Sequence, residues 1–192
     1  MALGEQGDIR LAVSLDKIRF LLVDDNVHML NIVKTILRGF GAVHVFEAKA
    51  PEEAIYRLRN DSIDIVVLDY LMGDEDGVDF LRKLRHETNS PTPYVPVIML
   101  TAHSERARVE AARDAGVTEF CAKPVTAAEM IRKVAAVIDH PRHFVRSETY
   151  FGPDRRRRED PNFQGPERRR HKLAGAGGPA PDAADDGTAT PR

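Results

Sequence analysis

Tryptophan is absent from this 192-residue chain, cysteine occurs once, and aromatic residues make up only 6%. The lone Cys121 excludes an intramolecular disulfide and any paired-cysteine metal site, and nothing in cysteine usage points to an oxidising compartment. Apolar runs such as residues 65–68 and 97–100 are far shorter than the roughly 20 residues a membrane helix requires. The opening MALGEQGDIRLAVSLDKIR mixes acids with bases and has no extended apolar stretch, so it does not read as a secretory signal. The cytoplasm is the expected address.

What is present is ordinary for a globular protein: 42% hydrophobic and 30% charged residues, enough for one packed core. The net charge of −2 conceals an asymmetry. Residues 1–140 carry 17 basic against 22 acidic side chains, a net of −5, whereas residues 141–192 carry 11 against 8, a net of +3. The two stretches have different physical jobs.

Residues 18–24, IRFLLVD, form a nearly continuous apolar run, as expected of a strand covered on both faces. Leu30, Val33, Ile36 and Leu37 then recur at helical spacing, and Gly39 and Gly41 supply the stop. The alternation repeats, with expected strands at 43–46, 63–69, 96–101 and 118–122 and helices near 51–59, 77–86, 104–115 and 126–139. Five such units predict an α/β fold with a parallel, doubly wound sheet. Beyond residue 140 the periodicity ends. Residues 141–192 are rich in Pro, Gly, Arg and acids, contain the short repeat GPDRRRR at 152–158 and GPERRR at 165–170, and are expected to form a largely disordered tail. The expected organisation is an N-terminal extension over 1–16, one domain over 17–140 and the tail over 141–192.

In a parallel sheet the strand C-termini share one edge, where ligands bind. Asp24 and Asp25 end the first expected strand, Asp69 the third, Thr101 the fourth and Lys123 the fifth. Three crowded carboxylates repel one another unless a cation lies between them. A hard divalent ion such as Mg²⁺ fits that role, since it takes oxygen ligands from one or two carboxylates plus phosphate oxygens. Asp69 is then a carboxylate nucleophile for a phosphoryl group, while Lys123 and Thr101 supply positive charge and a hydroxyl to the phosphoryl oxygens. Taken singly, each residue has a plainer reading as a helix cap, a turn residue or a surface ion pair. Four strand ends supplying one reaction's groups favour the joint reading.

With LLVDDN at 21–26, VVLDYLMGDEDG at 66–77, VIMLTA at 97–102 and FCAKPV at 120–125, the chain resembles the receiver domain of two-component response regulators. The resemblance covers roughly 17–140 and implies a flavodoxin-like sheet of order 2-1-3-4-5. It implies Asp24 and Asp25 as the acid pair at the metal, Mg²⁺ or alternatively Mn²⁺. Asp69 would be the phosphoacceptor and third acid, and the Leu71 carbonyl a main-chain metal ligand. Thr101 would be the switch hydroxyl, Lys123 the phosphate contact and Phe120 the aromatic that reports the state, with a cis peptide before Pro124. Two departures from the family pattern border the site: Leu71, where the family is often polar, and Gly73, where it usually has proline. His103 lies two residues after Thr101, and HETNSPTPYVP at 86–96 is long for its turn, which reads as a surface variation.

The implied function is a single-domain phosphoacceptor switch rather than an enzyme. Its partners would be a histidine kinase or histidine phosphotransfer protein and a downstream protein target. A haloacid-dehalogenase-type phosphatase would want a second acid at position 71, which is leucine. A nucleic-acid-binding or membrane-binding role for Arg155–Arg158 and Arg168–Arg170 is the third reading; interleaved acids and the absence of an aromatic platform favour a solvated charge run, and docking on the acidic domain is a further option.

Overall fold

The computed structural model describes residues 14–73, 75–87, 89–102, 106–147, 150–154 and 171–173. A short 3-10 turn, Leu15–Lys17, precedes β1 (Arg19–Val23), α1 (Val27–Gly39), β2 (His44–Ala48), α2 (Pro51–Asn60) and β3 (Ile65–Asp69). A small hairpin of β4 (Leu71–Met72) and β5 (Glu75–Asp76) leads into α3 (Gly77–His86), β6 (Val97–Thr101), α4 (Arg106–Asp114), β7 (Glu119–Ala122) and α5 (Ala127–Asp139). Three further strands follow, β8 (Phe144–Arg146), β9 (Phe151–Pro153) and β10 (His171–Leu173). Among the described residues, no helix is long and apolar enough to cross a membrane.

The main sheet is parallel with order β2-β1-β3-β6-β7. This is the doubly wound order expected, and its central strands are buried along nearly their whole length. Strand alternation divides the core. Leu21, Val23, Val66, Leu68, Val97 and Met99 face α2, α3 and α4, whereas Phe20, Leu22, Ile65, Val67, Ile98 and Leu100 face α1 and α5. Local capping fixes the helices: Asn26 Oδ1 accepts the His28 amide at 2.9 Å, Asp76 Oδ1 the Val78 amide at 2.8 Å, and Thr126 Oγ1 the Glu129 amide at 3.2 Å. Helix boundaries agree with the sequence reading to within a residue or two; residues 103–105 lie outside the described residues.

Three expectations need correction. Leu15 is 1% exposed and packs with Phe20 and Leu37, so the domain begins before residue 17. The stretch after residue 140 is not wholly without structure. In it, β8 pairs antiparallel with both β9 and β10, and Phe144, Val145, Tyr150 and Phe151 are buried. The turn before β6 is also more than a surface variation. Tyr94 makes edge contacts with Phe144 at 5.6 Å and Phe151 at 5.3 Å between ring centroids, so that turn seats the C-terminal strands. The physical reason is non-local: four aromatic or β-branched residues bury themselves on a surface whose contacts lie 35 to 65 positions earlier in the chain. The arginine clusters 155–158 and 168–170, and His103, lie outside the described residues.

Beneath these strands sits Arg85, 2% exposed. Its Nε and Nη2 donate to the Gly116 carbonyl at 3.3 and 3.2 Å, its Nη1 donates to the Pro93 carbonyl at 2.6 Å, and its guanidinium stacks 5.0 Å from the Phe144 ring. Burial pushes the guanidinium down to about 9, still above neutrality, so it is a buried cation held by carbonyl dipoles.

Candidate functional site

The parallel sheet brings the predicted residues to one edge. Asp24 follows β1, its amide donating to the Ala48 carbonyl at 3.2 Å. The Tyr70 amide beyond β3 donates to the Leu100 carbonyl at 2.9 Å, and the Lys123 amide beyond β7 donates to the Thr101 carbonyl at 2.8 Å. These bonds continue the ladder past the strand ends, from β1 to β2 and from β3 through β6 to β7.

Asp24, Asp25 and Asp69 offer carboxylate oxygens that all lie within 4.8 Å of one another. Asp24 and Asp69 are buried and Asp25 is exposed. Lys123 Nζ stands 2.8 Å from Asp69 Oδ1 and 3.6 Å from Asp24 Oδ2. One ammonium thus serves two carboxylates. Asp69 Oδ1 also accepts the Tyr70 amide at 2.7 Å, and Asp24 Oδ1 accepts the Asn26 amide at 2.8 Å. Asp24 Oδ2 is buried without any hydrogen bond. Burial pushes the Asp24 carboxyl above its usual 3.8, opposed by the Asn26 amide, and the charge of Asp69 pushes the same way as burial.

An orphaned buried carboxylate oxygen beside two more acids is a donor set for a hard divalent cation, so the site fits Mg²⁺, with Mn²⁺ as the alternative. Thr101 ends β6 beside Ala122, half-buried. Phe120 is half-buried and packs against the core under α4, and the Lys123–Pro124 peptide is cis. Leu71 is 46% exposed in the hairpin.

Gly77 is a site residue that the motif reading passed over. A Cβ there would collide with the Asp69 carbonyl, and the Gly77 amide donates to the Tyr70 carbonyl at 2.8 Å. Only glycine lets the start of α3 lie against the backbone of Asp69. The Asp-Gly pair at 76–77, a cap followed by a glycine, was its signal.

The family model for the response regulator receiver domain matches residues 20–135. This chain belongs to that family. The receiver is 32% identical over 128 residues to chemotaxis protein CheY-3 of Vibrio cholerae, covering 67% of this chain and 97% of that protein. It is 31% identical over 121 residues to chemotaxis protein CheY of Pseudomonas aeruginosa, covering 63% and 96% respectively. Among solved structures, a two-component response regulator from Clostridium difficile superposes with a TM-score of 0.58 at 22% identity, covering 65% of this chain and 98% of that one. The receiver domain of the Francisella response regulator 1452 gives 0.57 at 24%, covering 64% and 98%. These two likenesses show the fold. The relatives are spanned almost completely, and the C-terminal strands of this receiver lie outside the family match.

Proposed function

We propose that this receiver accepts a phosphoryl group on Asp69 from a histidine kinase or histidine phosphotransfer protein and signals by contact with a downstream protein. The observation that carries the reading is the convergence of three acids within 4.8 Å, with Lys123 Nζ 2.8 Å from Asp69. Asp69 Oδ1 is taken by the Tyr70 amide and Lys123, which leaves Oδ2 to attack phosphorus. The new O–P bond forms as the donor's P–N bond breaks, and the imidazole nitrogen departs with the electron pair. No general base is needed, because a carboxylate nucleophile attacks without surrendering a proton.

Asp24, Asp25, Asp69 and the Leu71 carbonyl would hold the divalent ion. When bound, it neutralises charge that develops on the phosphoryl oxygens. Lys123 then turns from the carboxylate of Asp69 to a phosphoryl oxygen, and the Thr101 hydroxyl donates to another. Added charge of about −1.5 to −2 draws Thr101 inward and frees space for Phe120, altering the surface around β7. Turnover beyond self-phosphorylation and self-dephosphorylation is not part of this role.

The test is incubation with acetyl phosphate and Mg²⁺, read by intact mass. Wild type gains one phosphoryl group and Asp69→Asn gains none. Equal labelling of both proteins would refute the assignment.

A further inference from the structure

The C-terminal strands are fastened to the foot of the elements that the proposed switch would move. Gly116 closes α4 at φ +92°, and Gly152 of β9 lies directly on it: a Cβ on Gly152 would stand 2.7 Å from the Gly116 Cα, and one on Gly116 would stand 2.8 Å from the Phe151 carbonyl oxygen. Arg142 Nη1 donates to the Thr118 carbonyl, 2.9 Å away, just ahead of β7. The Phe144 ring covers Arg85, which itself holds the Gly116 carbonyl. Phe151 adds edge contacts to Tyr94 and His86. The attachment therefore falls on the ends of α4 and β7 that are remote from Asp69. β7 and α4 are each about 13 Å long at 3.3 and 1.5 Å per residue, rigid rods between the phosphoacceptor edge and this attachment.

Residues 142–147 and 150–154 bond to one another across β8 and β9, and β10 pairs with the other edge of β8. The Ser147 amide donates to the Tyr150 carbonyl at 2.8 Å, the Asp154 amide to the His143 carbonyl at 2.7 Å, and the Tyr150 hydroxyl to the Pro153 carbonyl at 2.6 Å. Its seat is incomplete. An open pocket of about 680 Å³ is lined by Pro141, Arg142 and Phe144 together with Ile63, Val95 and Val137. A segment with open space beneath part of it opens at lower cost than one packed throughout.

We propose that β8 and β9, with β10 paired to β8, are a strap, fastened to the foot of α4 and β7 in the resting protein and loosened when Asp69 is phosphorylated, so that strap release is an output of this receiver. The strap sequence lies beyond the family match at 20–135, so this output belongs to this chain rather than to the shared fold. The inference rests on Asp69 being the phosphoacceptor. Because coupling is reciprocal, loosening the strap by mutation favours the phosphorylated form by the same factor.

Hydrogen exchange of the full chain, with and without acetyl phosphate and Mg²⁺, tests it, with intact mass taken on the same samples. Phosphorylated protein is expected to exchange peptides spanning 142–154 at least about five-fold faster, the lower end of common coupling strengths. Asp69→Asn treated alike shows no change. Phe151→Ala is expected to bring fast exchange without phosphate and to tighten the apparent affinity for beryllofluoride, a phosphoryl mimic, by a similar factor. Added mass with unchanged strap exchange overturns the strap proposal alone, as does a Phe151→Ala protein with loose strap and unaltered beryllofluoride affinity. Absence of added mass in wild type overturns the phosphoacceptor reading and the strap with it.

Discussion

Lys123 and Arg85 are both cations withdrawn from solvent, one at each end of the sheet. Lys123 stands among acids: Asp69 at 2.8 Å and Asp24 at 3.6 Å, with Asp25 close by. Its charge cannot balance three carboxylates, and Asp24 Oδ2 stays unsatisfied. Arg85 has carbonyls and a ring for partners, and each of its three guanidinium nitrogens donates to Gly116 or Pro93. A site left electrostatically short is prepared for incoming charge, whereas a cation bonded at every nitrogen holds a structure together.

The sharpest way to break this contrast is to remove one group from each end. Asp69→Asn abolishes phosphoryl uptake and changes stability little. Arg85→Met keeps uptake and loses about 2–4 kcal/mol in urea unfolding, because the buried Gly116 carbonyl loses its donors at about 1–3 kcal/mol and the part-buried Pro93 carbonyl at less. Loss of uptake in a folded Arg85→Met protein would show that the two ends are not separate in this way.

Glycine substitutions give the next largest effects. At the foot, Gly152→Ala places a Cβ 2.7 Å from both the Gly116 Cα and the Tyr150 hydroxyl oxygen, and overpacking of that kind costs about 1–3 kcal/mol. At the acid edge, Gly73 has φ +58° with nothing nearer a Cβ than Asp25 Oδ2 at 3.6 Å. Gly73→Ala therefore meets only left-handed backbone strain, about 1 kcal/mol. Thermal melts of both variants rank the two; the reverse order would mean that the contact between Gly116 and Gly152 is loose.

The acid edge was far more legible in the sequence than the foot. Buried parallel strands declare themselves as apolar runs, and the residue after each run must lie at the functional edge, so Asp24, Asp69, Thr101 and Lys123 could be placed from spacing alone. Nothing comparable marks the strap. β8 and β9 are three residues each, too short for period-two alternation to register, and Phe144 and Phe151 are buried only because Tyr94, Arg85 and Gly116 come to meet them. Arg85 was disguised as well. It lies in the last turn of α3 with Lys83 and His86, where a basic residue reads as a favourable partner of the helix dipole on the surface.

The smallest effect concerns Asp24. Burial holds its carboxyl above 3.8 in the folded chain, so the folded state binds that proton more tightly than the unfolded state does. The cost of keeping Asp24 ionised is therefore present at neutral pH, shrinks as pH falls through the raised value, and is gone below about 3.8. Asp24→Asn removes an ionised group that burial disfavours, so it is expected to raise the melting temperature at pH 7. That gain narrows on acidification. Mg²⁺ reverses the order, since it stabilises the wild type by mass action and finds a poorer ligand set in the variant. Melts of both proteins, from pH 7 downward and with or without Mg²⁺, separate these contributions; a gain that grows on acidification would mean that Lys123 outweighs burial at Asp24.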